Sequence, residues 1–188
     1  MKKKINIFNR KKYLKNSTSS PAVFLDRDGT INYDKGYTYK FSQFKFRPYV
    51  LRGLRYLNKR RYLIFIVTNQ AGIAKGKFEL ADLLKLNKQL LNYLSKKNIY
   101  INEIQFCPFH PRALIKKYKK KTNYRKPGNL MIRTILNKWN VDLKQSFMIG
   151  DRLSDKLAAK KSKLYFEYAS RNFLKQVKEI IEKMSNNY

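Results

Sequence analysis

Residues 22–30 of the chain read AVFLDRDGT, an apolar run followed by two carboxylates, Asp26 and Asp28, and a glycine. A short apolar run bounded by turn-forming residues is typical of a buried strand that leads into a loop. The pattern recurs in YLIFIVTN at residues 62–69 and in SFMIGD at residues 146–151. Polar residues therefore follow three predicted strands.

The segments around these strands alternate in type. Further strands are predicted at residues 103–106 and 164–168, and a helix at residues 130–139. Three more helices are indicated by apolar residues at helical spacing: Leu51, Leu54 and Leu57; Leu80, Leu83, Leu84, Leu90, Leu91 and Leu94; and Phe173, Val177, Ile180, Ile181 and Met184. This alternation predicts an α/β fold of the Rossmann-like kind, with a mostly parallel sheet covered by helices on both faces.

Length and composition limit the class of protein. The 188 residues fit one domain, which we place at residues 21–188, after a basic tail at residues 1–20 that we expect to be disordered. The single cysteine, Cys107, requires no oxidising compartment. We find no export signal and no apolar stretch long enough to cross a bilayer, so we expect a cytoplasmic protein without membrane contact.

The formal net charge of +31 is the most unusual feature of the composition. Such a charge is typical of proteins that bind nucleic acid. Here Lys and Arg are spread along the whole chain, and only residues 116–121 form a local cluster. A general bias of composition is therefore the preferred interpretation, although a positive field would attract any phosphorylated substrate.

The polar residues at the strand ends suit phosphoryl transfer. Asp26 can supply a carboxylate nucleophile, and Asp28 can protonate the leaving oxygen and later deprotonate a water. Asp151, at the end of the strand at residues 146–151 and shortly before Asp155, would complete an oxygen-rich site suited to Mg²⁺. Thr68 and Lys126 can donate to the phosphoryl oxygens. Parallel strands would bring these groups to one edge of the sheet.

Four segments in order, FLDRDGTIN, IVTNQAGIAKGKF, RKP and MIGDRLSD, resemble the four motifs of the haloacid dehalogenase superfamily of phosphatases. The resemblance covers residues 22–159 and is greatest to the subfamily that contains heptose bisphosphate and histidinol-phosphate phosphatases. The short spacers between the motifs leave no room for a large cap domain. Loops would therefore select the substrate.

The resemblance implies a role for each matching residue. Asp26 would be the nucleophile, Asp28 the general acid and base, and Thr68 with Lys126 the groups that stabilise the phosphoryl oxygens. Mg²⁺ would be held by Asp26, the backbone carbonyl of Asp28, and Asp151. The residues that we assign to substrate binding are Asp34, Lys35, Gly36, Tyr37, Asn69, Gln70, Ala71, Arg125 and Arg152.

One departure from the subfamily concerns a zinc-binding loop of the form CxH followed by CxC before RKP. The corresponding positions here are Cys107, Phe109, Thr122 and Tyr124. Structural zinc needs four N or S ligands, and His110 lies one place off, so we predict no zinc. The loop at residues 108–124 is expected to be held by aromatic packing or to be partly mobile.

NYDKGY and GIAKGKF favour the heptose branch. By this resemblance, the expected reaction is removal of the 7-phosphate of a heptose 1,7-bisphosphate on the way to the lipopolysaccharide core, by a monomer that binds a small phosphorylated sugar and no nucleic acid. Three alternatives stay open: a histidinol-phosphate phosphatase, a nucleic-acid 3'-phosphatase, and a basic nucleic-acid-binding protein whose catalytic residues are relics.

Overall fold

Five strands form one parallel sheet in the computed structural model, which describes residues 18–186. The strands are β1 (Ser20–Leu25), β2 (Leu63–Asn69), β3 (Glu103–Cys107), β4 (Val141–Gly150) and β5 (Tyr165–Tyr168). They lie in the order β3-β2-β1-β4-β5, and each neighbouring pair is parallel. The carboxyl ends of all five strands therefore lie at one edge of the sheet.

Residues 18–186 contain six α-helices, five between strands and the last after β5: α1 (Val50–Lys59), α2 (Ala71–Ala74), α3 (Leu80–Ser95), α4 (Leu130–Leu136), α5 (Leu153–Lys161) and α6 (Phe173–Ser185). Short 3-10 helices occur at Phe41–Gln43 and Lys116–Tyr118. Helices α1, α3 and α6 contribute side chains to the core on one face of the sheet. Helices α4 and α5 cover the other face. The predicted Rossmann-like α/β fold is thus confirmed.

Burial on both faces explains the continuous apolar runs of the central strands. Val23 and Leu25 of β1 belong to one core, and Phe24 between them belongs to the other. All three side chains are fully buried. Because each such side chain stabilises the fold by about 1.5–3 kcal/mol, β1 cannot tolerate polar replacements on either face.

Some element boundaries differ from the predicted ones. Helix α5 was not predicted, because the residues that it buries against the sheet are the small Ala158 and Ala159, whereas Leu153 is 61% exposed. Strand β4 begins five residues before the predicted Ser146, in a polar stretch that pairs with Ser20 and Pro21.

The predicted tail at residues 1–20 lies outside the described residues up to residue 17. Ser20 already belongs to β1 and pairs with Val141. Among residues 18–186, no helix combines the length and the apolar character that a membrane span requires.

Candidate active site

The carboxyl ends of the strands open into a cavity of about 450 Å³. Most of the residues that the sequence assigned to catalysis and substrate binding line it: Asp26, Asp28, Asp34, Gly36, Tyr37, Thr68, Asn69, Gln70, Ala71, Arg125, Lys126 and Arg152. Lys35 is exposed and is not among the lining residues. Sequence reasoning gave no role to five other lining residues: Gly72, Lys75, His110, Ser154 and Asp155.

Lys126 connects two acids at the floor of the cavity. Its Nζ atom lies 2.5 Å from Oδ1 of Asp26 and 2.6 Å from Oδ1 of Asp155, and it donates to the backbone carbonyl of Val67 at 2.6 Å. All three charged residues are buried. The ammonium group is therefore held by oxygen atoms from β2, from the residue after β1 and from α5.

Burial and neighbouring charges shift the pKa values of this group. Burial raises the pKa of Asp26 to about 7, an increase that Lys126 opposes and Asp155 reinforces. For Lys126, burial lowers the pKa, but the two carboxylates outweigh it and the net pKa is raised. Lys126 thus keeps its proton, whereas Asp26 loses its proton only near neutral pH.

Three carboxylates form a candidate metal site. Oxygen atoms of Asp26, Asp151 and Asp155 lie within 4.8 Å of one another. Oδ1 of Asp151 is buried without a hydrogen-bond partner in the described part of the chain. Burial, and then Asp155, raise the pKa of Asp151. A buried acceptor without a donor, next to a second carboxylate, fits a hard divalent cation such as Mg²⁺.

Gly29 allows the loop after β1 to approach Asp151. Its φ angle is +89°, in the left-handed region that favours glycine. A Cβ atom at this position would lie 2.2 Å from Oδ2 of Asp151. The glycine of the first motif therefore brings the acids of β1 and β4 together.

The carboxylate of Asp28 is surrounded by hydrogen-bond donors. It accepts hydrogen bonds from Arg27, Asn32 and Gln70, at 2.7–3.2 Å. A metal ligand from Asp28 would therefore be its backbone carbonyl, as the family resemblance implies. The side chain remains 20% exposed and lines the cavity.

Asn69 connects β2 to the loop that carries Lys126. Its Nδ2 donates to the carbonyl of Lys126 at 3.0 Å, and its Oδ1 accepts from the Lys126 N–H at 3.1 Å. Thr68 is 1% exposed, and its Oγ1 accepts from Gln70 at 2.9 Å, which leaves the hydroxyl hydrogen of Thr68 to donate. Asn69 and Gln70, assigned to substrate binding, thus use these side-chain atoms within the protein.

The outer part of the cavity is positively charged. Nη1 of Arg125 is buried without a hydrogen-bond partner in residues 18–186. Burial lowers the pKa of Arg125; nearby Cys107 raises it and Arg152 lowers it. Burial also lowers the pKa of His110, as do Arg125 and Lys75. An anion bound here would offset this charge.

An ion pair crosses the mouth of the cavity. Nη2 of Arg152, beyond β4, lies 2.8 Å from Oδ2 of Asp34, in the loop after β1. Oδ1 of the same aspartate accepts from the N–H of Gly36 at 2.9 Å. The two loops that were expected to recognise the substrate therefore contact each other directly.

Ring contacts and hydrogen bonds hold the segment at residues 108–124. The rings of Phe109 and Tyr118 lie 6.2 Å apart, and the N–H of His110 donates to the carbonyl of Tyr118 at 3.1 Å. Tyr124 donates its hydroxyl to Gln105. Cys107 is buried, which raises the pKa of its thiol. The aromatic residues at the zinc-ligand positions thus contact the protein itself, and the absence of zinc stays a prediction.

The chain is similar in sequence to a known family and to named proteins. Residues 22–184 match the family described as polynucleotide kinase 3 phosphatase. The chain is 39% identical over 140 residues to D-glycero-beta-D-manno-heptose-1,7-bisphosphate 7-phosphatase of Rhodopseudomonas palustris, covering 74% of this chain and 78% of that protein. It is 37% identical over 141 residues to the protein of the same name from Escherichia coli, covering 75% and 74%.

Solved structures show the same architecture. A HAD-like phosphatase from Mesorhizobium loti superposes with a TM-score of 0.79 at 26% identity, covering 88% of each chain. D,D-heptose 1,7-bisphosphate phosphatase from B. bronchiseptica, solved with magnesium and phosphate, gives a TM-score of 0.71 at 23% identity, covering 89% of this chain and 97% of that one. The second likeness supports the fold alone.

Proposed function

The chain belongs to the haloacid dehalogenase superfamily of phosphatases, in the polynucleotide kinase 3 phosphatase family, and we propose that it removes the 7-phosphate of D-glycero-D-manno-heptose 1,7-bisphosphate. The observation that carries the proposal is the contact between Lys126 and Asp26 below a cavity with cationic walls. This arrangement offers one nucleophile for the reacting phosphate and separate charges for a second phosphate.

Catalysis would proceed in two steps through an aspartyl-phosphate. A carboxylate oxygen of Asp26 attacks phosphorus, the bond from phosphorus to the sugar oxygen breaks, and Asp28 gives that oxygen a proton. Asp28 then takes a proton from water, whose oxygen attacks phosphorus, so that phosphate leaves and Asp26 is restored. Lys126 and Thr68 donate to the phosphoryl oxygens in both steps.

The acidic cluster fits Mg²⁺, which we propose as the cofactor. Asp26 and Asp151 would hold it, with the carbonyl of Asp28. The ion would offset the charge of the phosphate against these carboxylates. Asp155, which lies 2.6 Å from the ammonium of Lys126, would keep that lysine charged and in place.

The cationic wall supports a substrate with two phosphates. With one phosphate at Asp26, the other would meet Arg125 and Lys75, which both line the cavity. Relatives that are 37–39% identical carry the name of a heptose bisphosphate phosphatase. The family resemblance adds a place in lipopolysaccharide core synthesis in the cytoplasm, which we include in the proposal together with a monomeric state.

A panel of phosphate esters tests this proposal. Purified protein with Mg²⁺ is assayed with both anomers of the heptose bisphosphate, histidinol phosphate and an oligonucleotide ending in a 3'-phosphate. We expect the highest kcat/KM for one heptose anomer, with release of one phosphate per molecule. Equal or faster hydrolysis of histidinol phosphate or of the oligonucleotide would overturn the choice of substrate.

A polynucleotide 3'-phosphate is the second candidate substrate. The matching family is described by that activity, and the basic cluster at residues 116–121 lies near the cavity, because the N–H groups of Leu114 and Ile115 donate to the carbonyl of Ala74 in α2. Lysines that contact the backbone of a nucleic acid release counterions, so the activity would fall steeply with salt. A shallow salt dependence on the oligonucleotide would remove this candidate.

A further inference from the structure

Arg27 stands between the two candidate catalytic acids in sequence, and its side chain is fully buried. Its Nη2 lies 2.7 Å from Oδ2 and 3.0 Å from Oδ1 of Asp28, and its Nε lies 3.2 Å from the same Oδ1. Nη2 also donates to the carbonyl of Thr38 at 2.8 Å. A guanidinium that is fixed by a backbone carbonyl and meets both carboxylate oxygens sets the plane of that carboxylate.

Gln70 makes a second connection to the same carboxylate. Its Nε2 donates to Oδ2 of Asp28 at 2.9 Å and to Oγ1 of Thr68 at 2.9 Å. An amide nitrogen has two hydrogens, so both are used. Gln70 is 4% exposed, and it therefore has no spare donor for a substrate.

Arg27 also contacts the amide oxygen of Gln70. Nη2 of Arg27 lies 3.3 Å from Oε1 of Gln70. In the reversed orientation the amide oxygen would face the carboxylate of Asp28, and the amide nitrogen would face the guanidinium, so both contacts would be lost. The arginine thus acts on Asp28 directly and also through the glutamine.

We propose that Arg27 and Gln70 are positioning residues that hold the carboxylate of Asp28 in one fixed arrangement. This inference rests on the proposed function, in which Asp28 protonates the leaving oxygen of a phosphate that Thr68 helps to hold. Proton transfer requires a donor within hydrogen-bond reach of the leaving oxygen, and an aspartate free to change rotamer would meet that condition only part of the time.

The dependence of the rate on the leaving group distinguishes this role from a general structural one. A sugar alkoxide is a poor leaving group and needs a proton, whereas 4-nitrophenolate leaves without one. The ratio kcat/KM reports the transfer of phosphate to Asp26, where the leaving group departs. A misplaced Asp28 should therefore slow alkyl phosphates much more than 4-nitrophenyl phosphate.

The test compares wild-type protein with Gln70→Met on 4-nitrophenyl phosphate and on the alkyl phosphate that the wild type hydrolyses fastest. We expect kcat/KM to fall by about tenfold or more for the alkyl phosphate and by less than about threefold for the aryl phosphate, since general acid catalysis contributes about 10²–10⁴-fold. Arg27→Lys keeps the positive charge but loses the second nitrogen donor of the guanidinium. It should also slow the alkyl phosphate more than the aryl phosphate, and it provides the test if Gln70→Met does not fold.

Gln176→Met is the matched control. Gln176 is also 4% exposed and bonds Ser170, Glu167 and Tyr168, but it does not line the cavity. Its replacement should lower thermal stability without changing the ratio of the two rates.

Two results would overturn the inference in distinguishable ways. Equal losses on the two substrates in Gln70→Met and Arg27→Lys would reject the positioning role and leave the proposed function standing. If the wild-type protein hydrolyses neither phosphate, the proposed function is rejected, and the positioning role falls with it.

Discussion

Nζ of Lys126 lies 2.5 Å from Oδ1 of Asp26, although the two residues are 100 positions apart in the chain. The contact joins the end of β1 to the loop before α4, and Asp155 holds the other side of the ammonium at 2.6 Å. Because both acids are buried, their carboxylates depend on this ammonium group to offset the cost of burial.

Replacing Asp26 should abolish turnover. Asp26→Asn keeps the size of the side chain and removes the nucleophilic carboxylate, so kcat should fall below detection while the circular dichroism spectrum stays that of the wild type. Asp142→Asn, on an acid outside the cavity, serves as the control and should retain activity. Near-normal hydrolysis by Asp26→Asn that depends on Mg²⁺ would contradict the assigned nucleophile.

The stability of the metal-free protein should depend on the ionisation of Asp26. Burial raises its pKa to about 7, above the ordinary 3.8. The stabilisation of the folded state that comes from protonation of Asp26 is fully present below pH 3.8 and is lost as pH rises through 7. Because asparagine does not titrate, Asp26→Asn should gain stability relative to wild type over this range, by about 2–4 kcal/mol above pH 7.

Urea unfolding in the presence of a chelator, from pH 4.5 to 8.5, measures this difference. The two proteins should approach each other in stability at the acidic end. A difference that stays constant with pH, or that grows toward acid, would show that Asp26 is not held protonated by its surroundings.

Removing Lys126 should affect both stability and rate. Lys126→Met leaves the carboxylates of Asp26 and Asp155 buried without their cation, so we expect a loss of about 3–5 kcal/mol in unfolding free energy and a large fall in kcat. Lys183→Met breaks a surface contact with Glu167 and should change the unfolding free energy far less. Similar losses in the two variants would argue against the buried ion triad.

Arg125 should contribute to discrimination among substrates. If its guanidinium binds the second phosphate, Arg125→Ala should lower kcat/KM for the heptose bisphosphate by about tenfold or more and change that for 4-nitrophenyl phosphate little. Arg133→Ala, on the exposed side of α4, is the control. Unchanged selectivity in Arg125→Ala would remove its recognition role.

Two glycines with positive φ angles allow the cost of backbone strain to be measured separately from the effect of a steric clash. Gly29 and Gly36 have φ angles of +89° and +75°. A Cβ atom at Gly36 meets nothing within 4 Å, whereas one at Gly29 lies 2.2 Å from Asp151. Both alanine variants should lose about 1 kcal/mol or more of stability, but only Gly29→Ala should weaken Mg²⁺ binding in calorimetry. Equal Mg²⁺ affinity in the two variants would contradict the proposed metal site.

The sequence predicted the central part of the molecule better than its edges. Strand β1 was recognisable because burial on both faces requires a continuous apolar run, and such a run leaves little doubt about the element. Helix α5 was missed because alanines on its buried side make no large apolar stripe. Boundaries depend on pairing with distant residues, as where β4 starts in a polar stretch beside Ser20 and Pro21.

The sequence also predicted some residues of the candidate site and missed the roles of others. Asp26, Asp28, Thr68, Lys126 and Asp151 could be named from the chain alone, since phosphoryl transfer demands these residue types and the motifs supply them in order. Gln70 was given a substrate-binding role, and the roles of Arg27 and Asp155 were not foreseen. A side chain's type shows what it can donate or accept, but not which partner it will meet.

Sequence alone determined the parallel α/β fold and the acids, threonine and lysine at the strand ends, because apolar periodicity and residue chemistry are local properties of the chain. Only the tertiary structure decided that Lys126 lies between Asp26 and Asp155, and that Arg27 and Gln70 hold Asp28. Most of those contacts join residues from different strands, helices and loops, and their distances follow from how these elements pack together.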